Sequence, residues 1–188
     1  MPILIVILGY LLGSIPTAYI AGRLARGEDI RRLGDGNMGA QNAFRQLGAR
    51  TGIAVGVVDA LKGMLVVLIA QVSGISQASI LLAGTAAVIG HNWPVFLGFR
   101  GGRGESTTIG VLLAVITQPM LITGGIAIAV LLKTKNVIKA SAAMFIPLPL
   151  MCWWLAVPGL LVSYSIGLPC LVGFTHFIRT RQRLVRRA

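Results

Sequence analysis

GIAVGVVDALKGMLVVLIA, residues 52–70, decides the fold class. The stretch is apolar or small throughout except for Asp59 and Lys62. A transmembrane helix needs roughly 20 such residues to cross a hydrocarbon core of ~30 Å. A helix apolar on every side has no stable place on a water-soluble surface. Asp59 and Lys62 stand three apart and share one face of that helix. At a bilayer centre each charge costs roughly 2.5–3.5 kcal/mol. Both are therefore expected to face a bundle interior and pair, with each other or with other polar groups.

Similar runs lie on both sides. They cover about Ile3–Ile20, Ala78–Phe96, Ser106–Gln118, Met120–Leu132, Val137–Ala156 and Gly159–Ile178. Over 188 residues the chain is 55% apolar and 12% charged, with mean hydropathy +0.83. Soluble domains carry about 25% charged residues. This composition excludes a soluble globular domain and a disordered chain. In a soluble chain the net charge of +12 would suggest nucleic-acid binding. The apolar runs point to lipid instead, and no nucleic-acid partner is expected. Residues 1–188 read as a single polytopic membrane domain, all-α. Cys152 and Cys170 both lie in apolar runs and read as buried small hydrophobes, not as a disulfide or metal site. Gly9 with Gly13, and Gly52 with Gly56, are small-residue pairs that let helix backbones approach in lipid.

The first run has no positive charge ahead of it, so it reads as a retained helix and not a signal peptide. The runs at Ser106–Gln118 and Met120–Leu132 are short enough to be one helix kinked at Pro119. Charge parity separates them. Arg23, Arg26, Arg31, Arg32, Arg45 and Arg50 follow the first run. Arg100 and Arg103 follow the third, and Lys133, Lys135 and Lys139 follow the fifth. Arg179, Arg181, Arg183, Arg186 and Arg187 close the chain, while the links after the second, fourth and sixth runs carry no charge. Seven transmembrane helices put every basic loop on one face, which the positive-inside rule makes cytoplasmic. The N-terminus is then outside and the C-terminus cytoplasmic.

Polar residues concentrate in two places on that face. One is Arg23–Arg50, with Gly34, Gly36, Gly39 and Gly48 beside Asn37, Gln41, Asn42 and Arg45. The other runs from His91 and Asn92 through Arg100, Gly101, Gly102, Arg103 and Gly104 to Glu105 and Thr108. Glycine-rich backbone exposes N–H groups that cradle anions. Arginine adds a fork matched to phosphate oxygens. Two such loops on one face suggest a phosphate site at the membrane surface. They are equally readable as flexible turns whose arginines touch lipid headgroups. No metal constellation accompanies His91 and His176. No Gly-x-Ser-x-Gly element or ready-made catalytic triad is present either.

The stretches Asp29-Ile30-Arg31, Gly34 to Asn42 with Arg45, Asp59 with Lys62-Gly63, Gly90 to Gly104, and Gly13 to Tyr19 together resemble one family. It is the acyl-phosphate-dependent glycerol 3-phosphate acyltransferases, the PlsY type. The resemblance runs from the first helix to the last. It implies a multi-pass protein of the bacterial plasma (inner) membrane with its active site facing the cytoplasm. It implies transfer of a fatty acyl group from acyl phosphate to the 1-hydroxyl of glycerol 3-phosphate. Lysophosphatidic acid and phosphate are the products, in the first step of phospholipid synthesis, without metal, coenzyme A or other cofactor. Beyond these two substrates, membrane lipid is the expected partner.

The same resemblance implies site residues. Gly36, Asn37, Gly39, Asn42 and Arg45 match the first signature and would bind phosphate or position substrate. Arg100, Gly101, Gly102, Arg103 and Gly104 match the second, with Arg103 and Arg100 standing where the family has lysines. Ser141 aligns with a serine of the site. His176 matches the third signature, with Arg179 in place of its asparagine partner. No residue is assigned as catalytic, because substrate-assisted chemistry is expected. Arg103, His91 and His176 are the candidates.

Three departures concern charge or a cradle residue: Asp35 for serine, Gln41 for threonine, and Glu105 as an added acid. A carboxylate ~4 Å from a phosphate charge costs about 4 kcal/mol at an effective dielectric of 20. Asp35 is therefore expected to pair with an arginine, with Arg103, Arg179 and Arg45 available and Arg179 favoured as a matched exchange. Asp35, Glu105 and Arg179 also suit a lapsed family member that binds lipid or serves as a scaffold. A small transporter of a phosphorylated anion is the third reading, weakened by the lack of an inverted repeat.

Overall fold

The computed structural model describes the backbone of residues 1–185 and side chains as far as Arg181. The described residues are helical, joined by turns and loops. The helices are α1 (Pro2–Gly13), α2 (Thr17–Arg26), α3 (Ala40–Leu47), α4 (Ala49–Val72), α5 (Gln77–Asn92), α6 (Glu105–Val115), α7 (Thr117–Thr134), α8 (Val137–Phe145), α9 (Leu148–Trp154) and α10 (Gly159–Val185). Six stretches are long and apolar enough to cross a membrane: Pro2–Arg26, Ala49–Val72, Gln77–Leu97, Thr117–Thr134, Val137–Trp154 and Gly159–Arg181. Helix α6 is apolar but shorter. The chain forms two compact units. One comprises residues 1–111 with the stretch from Val172, and the other comprises Leu112–Leu171.

Several expectations need correction. The first apolar run is not one continuous helix. It breaks at Ser14–Pro16, because Pro16 has no N–H to donate back into α1. The sixth run breaks likewise at Ile146–Pro147. The fourth and fifth runs are separate helices, as charge parity required. The break falls at Ile116, whose φ of −134° and ψ of 61° are non-helical. Pro119 sits in the first turn of α7, where its missing N–H has no intrahelical partner to lose. Cys152 is buried, but Cys170 is exposed on α10, and both are free thiols. The side chain of Arg183, and Arg186 and Arg187 entirely, lie outside the described residues.

The first unit is built inside out relative to a soluble protein. On α4, Leu61 and Leu65 are 54% and 48% exposed, whereas Asp59 and Lys62 are 1% and 7% exposed. Much of the leucine and isoleucine surface faces outward, while small and polar residues join Val55, Val66 and Val67 in the contacts between helices. Helix α1 lies on α5 through Gly9, Gly13 and Gly90. A Cβ on Gly13 would overlap the Ala87 backbone, and one on Gly90 would overlap the Tyr10 carbonyl. Gly63 and Gly110 bring α4 and α6 together in the same way, against Thr107 and Ala60. Gly52 seats α4 on Phe44 of α3. Backbone-to-backbone approach replaces the hydrophobic drive that lipid does not supply.

This packing yields a stability prediction. Gly13→Ala forces the α1–α5 contact apart and should cost roughly 1–3 kcal/mol, as overpacking does. Gly124→Ala meets nothing within 4 Å and should be neutral or slightly stabilising, since Ala exceeds Gly in helix propensity by about 1 kcal/mol. Melting of both variants in detergent checks the contrast.

Candidate functional site: an arginine-lined cavity

Two loops and one helix end converge within the first unit. The first loop begins where α2 stops at Gly27, whose φ of +67° ends the helix in the left-handed region. Asp29 then caps a 3-10 turn, Ile30–Arg32, by accepting from Arg31 N at 3.0 Å. Its carboxylate also accepts from Arg31 Nε (3.0 Å) and Nη2 (2.6 Å). These side-chain bonds to the Arg31 guanidinium lower the Asp29 pKa below the ordinary carboxylate value and raise that of Arg31. The Arg31 guanidinium also stacks on Tyr19, 5.4 Å from the ring centre.

Asn42 shapes the rest of this loop from α3. It is buried, and its Nδ2 donates to the carbonyls of Leu33 (3.1 Å) and Asn37 (3.0 Å), with a longer bond to Ile30. Its Oδ1 accepts from Asp35 N at 3.3 Å. Asn42 thus holds the loop's backbone from within. Asp35 Oδ1 accepts from Asn37 N at 3.0 Å, an Asx-type turn made possible by Gly36 at φ +69°.

The second loop hangs from the end of α5. The last carbonyls of a helix have no intrahelical donor. Here His91 O accepts from Gly102 N at 3.0 Å, and Asn92 O accepts from Arg179 Nη2 of α10. A cation at a helix C-terminus also meets the negative end of the helix dipole. Asn92 Nδ2 donates to Thr175 Oγ1 at 3.0 Å, so α10 is fastened to α5 twice. Thr175 and Arg179, four apart, share one face of α10.

Together these elements enclose a cavity of about 760 Å³. Arg31, Arg32, Arg100, Arg103 and Arg179 line it, with Asp29 and Asp35. Gly34, Gly36, Asn37 and Gly101 contribute backbone, and Trp93, Phe99 and Ile178 give it an apolar part. Asp29 is taken by Arg31. Asp35 Oδ2 stands 3.5 Å from Arg103 Nη2, a long and partly exposed pair. The expected Asp35–Arg179 exchange is therefore not what forms. Arg179 is drawn instead to the orphan carbonyl of α5, and Arg103 answers Asp35. The Nε atoms of Arg103 and Arg179 and the Oδ1 of Asn37 are buried without a partner.

The other expected residues are placed as follows. Gly102 and Gly104 are buried within the second loop and do not line the cavity. Gly104 has φ +85° and packs on Asn92. Gly39 starts α3. Arg45 is exposed on α3 and does not line the cavity. His176 is half-buried and also outside the lining. Ser141 belongs to the second unit, where its hydroxyl donates to Val137 O at 2.8 Å.

His91 does not reach the cavity. It is buried with Asp59, whose Oδ1 accepts from Thr17 Oγ1 (2.8 Å) and Lys62 Nζ (2.8 Å) and lies 3.5 Å from His91 Nδ1. Lys62 Nζ also donates to Ile15 O, the carbonyl at the α1–α2 break, at 3.0 Å. The Asp59–Lys62 pairing expected from their spacing is present. Thr17 and Trp93 fell within stretches quoted for the resemblance but were given no role, and Thr175 had no place in the sequence reading. Only the four-residue spacing of Thr175 and Arg179 could have suggested that they act together.

Comparison with known proteins places this arrangement. The family model for glycerol-3-phosphate acyltransferase matches residues 3–187. Glycerol-3-phosphate acyltransferase 4 of Dehalococcoides mccartyi is 57% identical over 187 residues, covering 97% of this chain and 98% of its own. The crystal structure of PlsY (YgiH), an integral membrane glycerol 3-phosphate acyltransferase, in its glycerol 3-phosphate form superposes with a TM-score of 0.86. The two share 34% identity, over 99% of this chain and 93% of that one. Its lysophosphatidic acid form matches over the same shares, with a TM-score of 0.81 and 33% identity.

The Asp29–Arg31 pair carries a pH prediction. Asp29 has a lowered pKa in the folded state, so its contribution is present above the unfolded value of ~3.9 and fades as pH falls through the lower folded value. Asp29→Asn should therefore melt below the parent chain at pH 7. The gap should shrink as the pH drops below about 4. Thermal unfolding of both proteins across that range measures it.

Proposed function

The chain belongs to the glycerol-3-phosphate acyltransferase family, and we propose that it moves a fatty acyl group from acyl phosphate to the 1-hydroxyl of glycerol 3-phosphate. The observation that carries this reading is the cavity. Five arginines against two aspartates leave it positive, and glycine-rich backbone from two loops lines it. Both proposed substrates bear phosphate. The related PlsY structures in glycerol 3-phosphate and lysophosphatidic acid forms support glycerol 3-phosphate as acceptor and lysophosphatidic acid as product.

The proposed step needs neither metal nor coenzyme A. The 1-hydroxyl oxygen attacks the acyl carbonyl carbon. The bond from that carbon to the phosphate oxygen breaks, and phosphate leaves with the electron pair. The hydroxyl proton ends on phosphate. The protein's part is to hold both phosphates and align the reacting atoms, and to stabilise the charge that develops on the carbonyl oxygen. Arg103, Arg100 and Arg179, with Gly101 and Asn37 beside them, are the proposed phosphate ligands. Gly36, Gly102 and Gly104 are proposed to shape the loops that present them, since Gly36 N and Gly102 N already donate to Leu33 O and His91 O. Arg103 is the proposed group beside the reacting phosphate. Arg45, Gly39 and His176 are proposed to complete the substrate surroundings. Asn42 and His91 support them.

We place the protein in the bacterial plasma membrane as one polytopic domain of seven spans, α6 being the short one. The cavity then opens to the cytoplasm. Its elements follow the first and third spans and close the last, consistent with a single face, and that face carries the arginines.

Purified protein given acyl phosphate and glycerol 3-phosphate should release phosphate and form lysophosphatidic acid. No release with any acyl-phosphate chain length would favour the lapsed, lipid-binding reading. Arg103→Ala should lower transfer about 10- to 150-fold, since a charge-assisted bond is worth roughly 1.5–3 kcal/mol. Near-parental transfer by that variant would take Arg103 out of the site. For topology, a cysteine replacing Ser73 should label from outside intact cells, and one replacing Lys135 only after permeabilisation. Labelling of position 135 in intact cells would overturn seven spans.

A further inference from the structure

We propose that His91 is a positioning residue. Held by Asp59, it fixes Gly102 and through it the place of Arg103 in the cavity. The proposal rests on the reading of the cavity as a phosphate site, and names what sets its geometry.

His91 is the penultimate residue of α5 and only 7% exposed, and it does not line the cavity. It grips Gly102 twice. Its backbone carbonyl accepts from Gly102 N at 3.0 Å. Its imidazole presents Nε2 to Gly102, where a Cβ would overlap the ring. Gly101 beside it is pressed on the same helix end, against His91 O and Pro94 Cδ. Arg103 follows Gly102 directly. A shift of Gly102 therefore moves the guanidinium relative to Asp35, 3.5 Å away.

The other side of the ring is also held. His91 Nδ1 stands 3.5 Å from Asp59 Oδ1, and that oxygen is fixed by Thr17 and Lys62. Lys62 is fixed in turn by Ile15 O. The ring is thus set between a buried carboxylate and the glycine strap. Its position follows from α4 and from the break between α1 and α2. A spacer that sets where the Arg103 guanidinium stands therefore has consequences for phosphate binding without touching the ligand.

The test is a double-mutant cycle of His91→Ala and Gly102→Ala in the full chain, purified in detergent. Inorganic phosphate affinity is the first readout. The KM for glycerol 3-phosphate and the kcat are the second, and melting is followed throughout. His91→Ala should weaken phosphate binding about ten-fold and raise KM by a similar factor, with kcat changing far less. Gly102→Ala alone should weaken binding at least as much, because its methyl meets the ring. In the double variant the methyl enters the vacated space, so the Gly102 change should cost little more. That non-additivity is the signature of the contact. Additive losses, or parental phosphate affinity in His91→Ala, would overturn the proposal. If His91→Ala yields no folded protein, His91→Asn supplies the same cycle. It retains a donor towards Asp59 and still empties the space under Gly102. A parent chain that fails to transfer acyl groups, yet binds phosphate in a His91-dependent way, would sink the proposed reaction and keep this inference. A parent chain that transfers acyl groups indifferently to His91 would do the reverse. A parent chain that binds no phosphate would overturn both.

Discussion

One buried carboxylate organises the first unit. Asp59 sits on a membrane-crossing helix, 1% exposed. It is tolerated there because three elements bring it partners. Lys62 comes from its own helix face, Thr17 from the first turn of α2, and His91 from the end of α5. Removing one partner of a buried ion pair typically costs about 3–5 kcal/mol, because a charge is left behind unpaired. The same arithmetic constrains the chain around it. Pro16 breaks the first span, and the break presents Ile15 O to Lys62. A continuous helix there would keep that carbonyl in its own ladder. The kink and the ion pair are thus two parts of one solution.

The end of α5 converts that buried order into a site. Helix ends in a membrane protein carry unsatisfied carbonyls that lipid cannot satisfy. The chain answers two of them with the residues that build the cavity: Gly102 on His91, and Arg179 on Asn92. Backbone demand therefore places the second loop and α10 beside one another. The first loop is assembled separately, around Asn42 of α3. It meets the second through the contact between Asp35 and Arg103. Because that pair is long and partly exposed, the phosphate proposed to bind here would compete for Arg103 without desolvating a tight ion pair.

The fold class was legible because lipid imposes a long apolar run on every span, and few other demands produce such runs. The positions of the glycine and arginine loops were legible for a related reason. Charges cluster where the chain leaves the hydrocarbon. What stayed hidden was how side chains meet across elements distant in sequence. Asp35 has several arginines within plausible reach, and nothing in their spacing says that Arg179 is claimed by the end of α5. Arg45 shares a helix with Asn42. One faces solvent and the other is buried, although both lie in one motif. His91 stands next to the glycine loop in sequence but turns inward to Asp59. A single histidine has no periodicity from which that turn could be read. Pro16 and Pro147 sit at the two breaks that the apolar runs did not reveal. In membrane helices, however, proline is tolerated often enough that the residue alone does not separate a kink from a continuous span.

The chain's own substitutions fit this architecture at one particular point. A guanidinium at position 103 offers a planar fork, where an ammonium would offer one compact charge. Its Nη2 faces Asp35 while its Nε stays buried and unpartnered. An arginine there can hold the first loop with one edge and keep donors for a ligand. A lysine would present its three donors from one compact point, without the fork's separate edges. Asp35 is then no intruder in a phosphate cradle. It orients the fork, and its own Oδ1 is anchored on Asn37 N. On the proposed phosphate reading the acid and the arginine act as a pair, because Asp35 alone would repel the ligand and Arg103 alone would lose its tie to the first loop.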